Sequence, residues 1–192
     1  MEVLNEAFAP HRIGFTVKNT TFTVNDEWAD RVLHADKAKA LRQGKYDELN
    51  IYFDSGMIGG TLTGWCEFPN EDPLNNGING TSYYVFDGCH LNPDTLPGGA
   101  GAGPDKADNK GKTAPHEVGH WFGLFHTFEG FDCASEGDLI DDTPAESEAS
   151  SGCPSDPPKD SCPGLPGVDP IHNYMDYSSH DWQVPELMSM AW

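Results

Sequence analysis

Residues 116–126 read HEVGHWFGLFH. In a helix, His116 and His120 lie about one turn apart on the same face, because positions i and i+4 are neighbours. Gly123 can adopt a positive φ, which ends a helix and turns the chain so that His126 approaches the same point. This segment therefore predicts three imidazole rings around one metal ion.

The donor set favours zinc in a reactive site. Three imidazole nitrogens leave the fourth tetrahedral position open, whereas structural zinc sites usually close with four ligands. Glu117, between the first two histidines, would reach that open position as a general base. The alternative is that these are ordinary surface or core histidines on an aromatic-rich helix. The eleven-residue pattern HExxHxxGxxH is far more specific than HExxH alone, and it favours the metal site.

A second segment, IHNYMDY at 171–177, places Met175 49 residues after His126. A tight turn that carries a methionine accompanies the extended histidine motif in one class of zinc peptidases. On its own, Met175 would be an ordinary core residue that fills a gap. Downstream of the long histidine motif, it predicts this Met-turn.

Composition excludes two classes of partner. The chain has 31 acidic residues against 11 Lys and Arg, a formal charge of −20. Such a surface repels phosphate backbones and anionic lipids, so neither nucleic acid nor a membrane is an expected partner. Five cysteines favour an exported protein. The first ten residues, MEVLNEAFAP, do not have the pattern of a signal peptide, and we expect a truncated start.

The periodicity of apolar residues predicts a mixed α/β domain. Helices are expected where these residues recur at helical spacing, at 1–9, 26–42 and 184–192. Strands or strand-like fragments are expected where they alternate or cluster, at 13–24, 49–53, 61–68 and 83–86. Thr113 and Pro115 are expected at the N-cap and in the first turn of the motif helix.

With these motifs established, the chain resembles the pappalysin family of metzincins, especially the extracellular metalloproteases of fungi. HEVGHWFGLFHTF, DTPAE and HNYMDYS carry this resemblance. It implies one catalytic domain over 1–192, of the α/β metzincin type, with a twisted mixed sheet, two long helices and a cleft above the zinc. About 1–126 would form an upper lobe with the active-site helix, and about 127–192 a lower lobe with the Met-turn. The first strand of the family would be missing.

The same resemblance implies a secreted, monomeric, zinc-dependent endopeptidase. It would hydrolyse peptide bonds in extracellular proteins or peptides through a zinc-bound water activated by Glu117. Tyr177 would donate a hydrogen bond to the tetrahedral oxyanion, the alternative being a packed core tyrosine. The glycine-rich segment 96–103 lies just upstream of the motif helix. In the family the preceding edge strand receives the substrate by backbone pairing. The alternative function is an inert zinc-containing binding module.

An acidic segment follows the histidine motif. Residues 129–160 contain ten acidic residues and one lysine, and several oxygen ligands in one short loop suit Ca²⁺. Pappalysins bind calcium as well as zinc. The resemblance implies the Asp138 carboxylate, the Asp141 carbonyl and Thr143 as calcium ligands. A solvated acidic loop is the alternative.

The five cysteines cannot all pair with one another. The resemblance pairs Cys133 with Cys162 and makes a Cys66–Cys89 bond plausible. Cys153 would then lack its usual partner. No CxxC spacing is present, so a zinc cluster of cysteines is not expected.

Overall fold

The computed structural model describes residues 1–30, 34–57, 62–70, 78, 80–102, 108–181 and 183. The chain divides into two compact units: Lys18–Gly123 forms one, and Met1–Val17 together with Leu124–Trp192 forms the other. The division into an upper lobe over 1–126 and a lower lobe over 127–192 stays a prediction.

The helices of the described residues are short. In chain order they are α1 (Glu2–Phe8), α2 (Asp26–Ala29), α3 (Ala35–Leu41), α4 (Ser82–Phe86) and α5 (Thr113–Trp121), with 3₁₀ turns at Ala9–His11 and Pro93–Thr95. The longest has nine residues, so the two long helices that the family resemblance implied are absent from the described ranges. The helix at the N-terminus is present as predicted, and the one expected at 184–192 lies outside the described residues.

The continuous helix predicted over 26–42 is wrong. The chain leaves helical conformation at His34, whose backbone is extended at φ −126° and ψ 113°. The His34 side chain accepts a hydrogen bond from the backbone N–H of Lys37, and it therefore starts α3 as a separate helix. The capping interaction overrides the helical spacing of the apolar residues.

A small mixed sheet forms the centre of the unit Lys18–Gly123. Its strands are β1 (Ile51–Phe53), β2 (Gly64–Cys66) and β3 (Cys89–Leu91), in the order β1-β3-β2. The first strand runs parallel to β3 and the second antiparallel to it. The sheet is mixed, as the resemblance implied, and two of its strands lie inside the predicted ranges 49–53 and 61–68.

Two predicted strands are wrong. The chain over 13–24 contains no strand, and the side chains of Phe22 and Val24 are 94% and 99% exposed. An alternating pattern forms a stable strand only where one face packs, and these side chains have no packed face. The residues at 83–86 lie in α4, because Thr81 caps that helix by accepting the N–H of Tyr84.

Packing against the sheet fixes α5. Val118 is fully buried, and the backbone carbonyl oxygen of Glu117 is in contact with the disulfide sulfur Sγ of Cys89 on β3, at 3.5 Å. At the other end of the helix, Trp121 Nε1 donates to Asp87 at 2.8 Å. Asp87 also pairs with the buried Arg42 at 2.7 Å. The motif helix is therefore anchored at its middle and at its C-terminal end.

The unit that contains Met1–Val17 and Leu124–Trp192 has a core of its own. Leu4, Ala7 and Phe8 of α1 are buried, and Phe8 packs edge-on against Phe15 with ring centres 5.5 Å apart. In the described part of the chain, no helix is long and apolar enough to cross a membrane.

Candidate metal centre

The motif helix α5 presents two of the three predicted ligands. It begins at Thr113, which is the first helical residue rather than the predicted N-cap, with Pro115 in the first turn. His116 and His120 are both more than nine-tenths buried, and their ring centres lie 4.8 Å apart at nearly a right angle. The i, i+4 spacing thus places both rings on one face of the helix.

Gly123 makes the turn that follows this helix. Its φ is 92°, a value that L side chains rarely adopt, and its N–H donates to the carbonyl of His120 at 2.8 Å. Only glycine takes this conformation without strain. The chain therefore leaves the helix abruptly and brings His126 back within three residues.

The three histidines converge. One ring nitrogen from each of His116, His120 and His126 lies within 4.8 Å of the other two. Within the described ranges, no second group of three or more His, Cys, Asp or Glu side chains meets in this way. Three converging imidazoles fit a tetrahedral zinc ion with one position open, so the residues present suit the metal that the sequence predicts.

Aromatic side chains flank two of the ligand rings. The ring of Phe68, two residues after β2, lies 5.0 Å from that of His120. Phe128 stacks nearly parallel on His126 at 4.9 Å, and it is 2% exposed. These contacts restrict how each imidazole can turn. Sequence reasoning missed both residues, and the only signal for Phe128 is its place two residues after the motif.

Glu117 lies between the first two histidines and is 5% exposed. Burial raises the pKa of its carboxyl group to about 8, because removal from water disfavours the charged form. A dication held by the histidines would act in the opposite direction and favour the carboxylate.

The predicted Met-turn is a buried turn. Met175 is 3% exposed, and its N–H donates to Oδ1 of Asn173 at 2.9 Å. The carbonyl of Met175 accepts the N–H of Thr127, the residue after the third histidine, at 3.3 Å. The turn is thus hydrogen-bonded to the segment that carries His126.

Buried acidic residues hold this turn in place, a role that the sequence analysis did not predict. Asp176 accepts the N–H of Ser150 at 2.9 Å. Glu146 accepts the hydroxyl of Thr127 at 2.6 Å and pairs with Lys159 at 2.9 Å. Burial raises the pKa of both carboxyl groups. These hydrogen bonds stabilise the backbone on either side of the Met-turn.

Tyr177 stands beside the third histidine. Its ring meets that of His126 edge-on at 4.9 Å and that of Phe128 at 5.0 Å. Tyr177 is 54% exposed, so it is not a packed core residue.

The acidic loop surrounds a cavity of about 100 Å³. Asp138 and Thr143 line it together with further oxygen-bearing side chains, those of Thr127, Asp132, Ser135, Glu136 and Glu146. Asp138 is buried, and desolvation raises the pKa of its carboxyl group. Asp141 is exposed and does not line the cavity. Two of the three residues that the resemblance assigned to calcium, Asp138 and Thr143, thus line one cavity.

Both disulfide bonds implied by the resemblance are present, Cys66–Cys89 and Cys133–Cys162, and Cys153 is a free thiol. Cys66 and Cys89 lie opposite each other on β2 and β3 with their Cα atoms 4.1 Å apart. The Cα separation places them in a non-hydrogen-bonded pair, where facing side chains of an antiparallel ladder are closest.

Comparison with known proteins was made against a family model, curated sequences and solved structures. The M43 peptidase model, described as Pregnancy-associated plasma protein-A, matches residues 43–184. The chain is 50% identical over 178 residues to an extracellular metalloprotease of Pyricularia oryzae, covering 93% of this chain and 58% of that protein. It is 47% identical over 175 residues to one of Neurospora crassa, covering 91% and 56%. The chain therefore spans somewhat more than half the length of these relatives.

Solved structures of mirolysin are also similar. Mature mirolysin of Tannerella forsythia in complex with a cleaved peptide matches with a TM-score of 0.53 and 32% identity, over 72% of this chain and 47% of that one. Mirolysin in complex with compound 9 matches with a TM-score of 0.56 and 30% identity, over the same shares.

Proposed function

Because this chain belongs to the M43 peptidase family, we propose that it is a zinc-dependent endopeptidase that hydrolyses peptide bonds in extracellular proteins. The convergence of His116, His120 and His126, with the buried Glu117 between the first two, carries the proposal. The relatives in Pyricularia oryzae and Neurospora crassa are named extracellular metalloproteases. Two disulfide bonds suit the same oxidising location.

His116, His120 and His126 would hold the zinc ion. Zinc supplies a Lewis acid that polarises the scissile carbonyl and lowers the pKa of a bound water toward about 7. The three neutral imidazoles leave the charge of the ion uncompensated, which preserves that acidity. The aromatic contacts of His120 and His126 keep the ligand rings in place.

Glu117 is the proposed general base. Its carboxylate accepts a proton from the attacking water and then delivers it to the leaving amine. Burial supports this role, since a carboxyl group out of bulk water exchanges its proton with the reacting groups rather than with solvent.

Tyr177 is the proposed oxyanion donor. Its hydroxyl group would donate a hydrogen bond to the oxygen that becomes negative when water adds to the peptide carbonyl. The exposure of Tyr177 and the contact of its ring with His126 support this role.

Substrate would bind along β2. This strand is at the edge of the described sheet, and an extended peptide can pair with the outer N–H and C=O groups of such a strand. The antiparallel strand β2 lies well upstream of 96–103, the glycine-rich segment expected to adjoin the substrate strand. Backbone pairing explains how a peptidase accepts many sequences.

The decisive experiment combines metal analysis with cleavage. Purified protein is expected to contain close to one zinc per chain and to cut an unstructured protein at internal bonds, as seen by mass spectrometry of the fragments. A zinc chelator should stop cleavage, and added zinc should restore it. Zinc retention without cleavage would instead indicate the inert binding module, and absence of zinc would contradict the metal site.

Calcium is the second proposed ion. The Asp138 carboxylate, the carbonyl of Asp141 and Thr143 are its proposed ligands, on the family resemblance. The cavity lined by Asp138 and Thr143 and by further carboxyl groups supports the first and third of them. A hard cation would offset the like charges gathered there.

A calcium chelator is expected to lower the melting temperature without removing zinc. An ion that binds only the native state stabilises it by about 2.7 kcal/mol at a hundredfold excess over its dissociation constant. For a domain of this size that corresponds to roughly 5–10 °C. In Asp138→Ala the melting temperature should no longer respond to calcium, whereas in Glu148→Gln, which alters an exposed carboxyl group, it should. An unchanged response in Asp138→Ala would exclude this site.

A further inference from the structure

The backbone conformation of Gly64, the first residue of β2, does not require a glycine. Its φ lies outside the left-handed region, and it pairs with Leu91 in regular antiparallel register. Any residue adopts such a conformation. We therefore expect the reason for a glycine here to be the space that a side chain would occupy.

That space is filled by a single side chain. A Cβ atom on Gly64 would lie 2.4 Å from Oε1, 2.5 Å from Cγ and 2.7 Å from Cδ of Glu117. Contacts below 3.0 Å essentially never occur for real Cβ atoms. At Gly56 and Gly99, by contrast, the nearest atom is a backbone atom. Gly64 alone among these three makes room for the side chain proposed as the base.

Glu117 has little freedom to give way. It is 5% exposed, and its backbone belongs to a helix whose next residue, Val118, is fully buried. The atoms that an added methyl group at Gly64 would meet all belong to the side chain of Glu117, and we expect that side chain to rotate about its bonds. Such a rotation moves the carboxylate, which is the part that must meet the attacking water.

We infer that Gly64 is a positioning residue, which sets where the carboxylate of Glu117 lies relative to the three histidines. This inference rests on the proposed function. It also connects the proposed substrate strand with the proposed base, because Gly64 belongs to β2 and faces the side chain of Glu117. A side chain at position 64 would disturb catalysis without touching a metal ligand.

The first test is kinetic. Gly64→Ala is expected to lower kcat by about 10²-fold, the effect of a displacement near 1 Å. KM and zinc content should stay unchanged, because the base acts in the transition state and the ligands are intact. Gly164→Ala is the matched control, since a Cβ there meets nothing within 4 Å and its φ is also outside the left-handed region. An unchanged kcat in Gly64→Ala would overturn the inference.

The second test does not depend on activity. Gly64→Ala should lower the melting temperature in the wild-type background and leave it unchanged, or raise it, in a Glu117→Ala background, where the clashing atoms are gone. Should Gly64→Ala fail to fold, folding of the double variant would carry the same information. Equal loss of stability in both backgrounds would show that Gly64 makes room for something other than Glu117.

The two tests separate the inference from the proposed function. If the wild-type chain cleaves nothing, the proposed function fails, and the catalytic role of Gly64 fails with it. The melting-temperature cycle would still decide whether Gly64 makes the space that Glu117 occupies.

Discussion

In Glu117→Gln, kcat is expected to fall by about 10²–10⁴-fold, the usual contribution of general acid–base catalysis. Glutamine has nearly the shape of glutamate, so it should fit the same buried place on α5 beside Gly64. An amide cannot accept the proton of the attacking water. Zinc content should be unchanged, since no histidine is altered. Initial rates on an internally quenched peptide, together with metal analysis of the same sample, measure both quantities.

Glu148→Gln is the matched control for this variant. It also removes one carboxylate, but the residue is exposed, and we expect its rate to equal that of the wild type. If Glu117→Gln keeps full activity with zinc bound, the base is another residue and the proposed mechanism is wrong. If zinc is lost as well, Glu117 contributes to metal binding rather than to proton transfer alone.

The metal centre was predictable because its geometry is local. The distance between His116 and His120 follows from the helical period, and the return of His126 follows from one positive φ at Gly123. All of this lies within eleven residues. Short-range rules of backbone conformation are sufficient for such a segment.

The surroundings of the site were not predictable because they depend on contacts between distant parts of the sequence. The contacts of Gly64 and Phe68 with α5 depend on the pairing of β2 with β3. Nothing in the segment GWCEF indicates that its glycine faces Glu117. Tertiary packing of this kind has no periodic signal in a single sequence.

Two of the errors in the predicted secondary structure, at 26–42 and 83–86, have a common cause. At His34 and Thr81, one side-chain hydrogen bond to a backbone N–H begins a helix, and in each case the apolar pattern indicated something else. Capping contributes about 1 kcal/mol at a single residue, enough to decide between conformations whose intrinsic preferences are similar. Periodicity averages over many residues and does not register such a local interaction.

The second large effect is expected for His120→Ala. Loss of an outer partner of a zinc ligand typically lowers metal affinity by about 10–100-fold, and loss of a ligand itself should exceed that. Two histidines would remain, one on α5 and one after the turn, and two donors do not define a tetrahedral site. We therefore expect loss of zinc at metal concentrations that saturate the wild type, and loss of cleavage with it.

A histidine outside the group provides the control for this prediction. His11 is not among the three converging rings, so His11→Ala should keep zinc and activity. The change at position 120 also removes a ring that packs against Phe68 and His116, and a loss of stability alone would lower activity too. Metal titration of the folded variant, checked by circular dichroism, separates the two causes. A folded His120→Ala protein that binds zinc as tightly as the wild type would show that these histidines do not form the metal site.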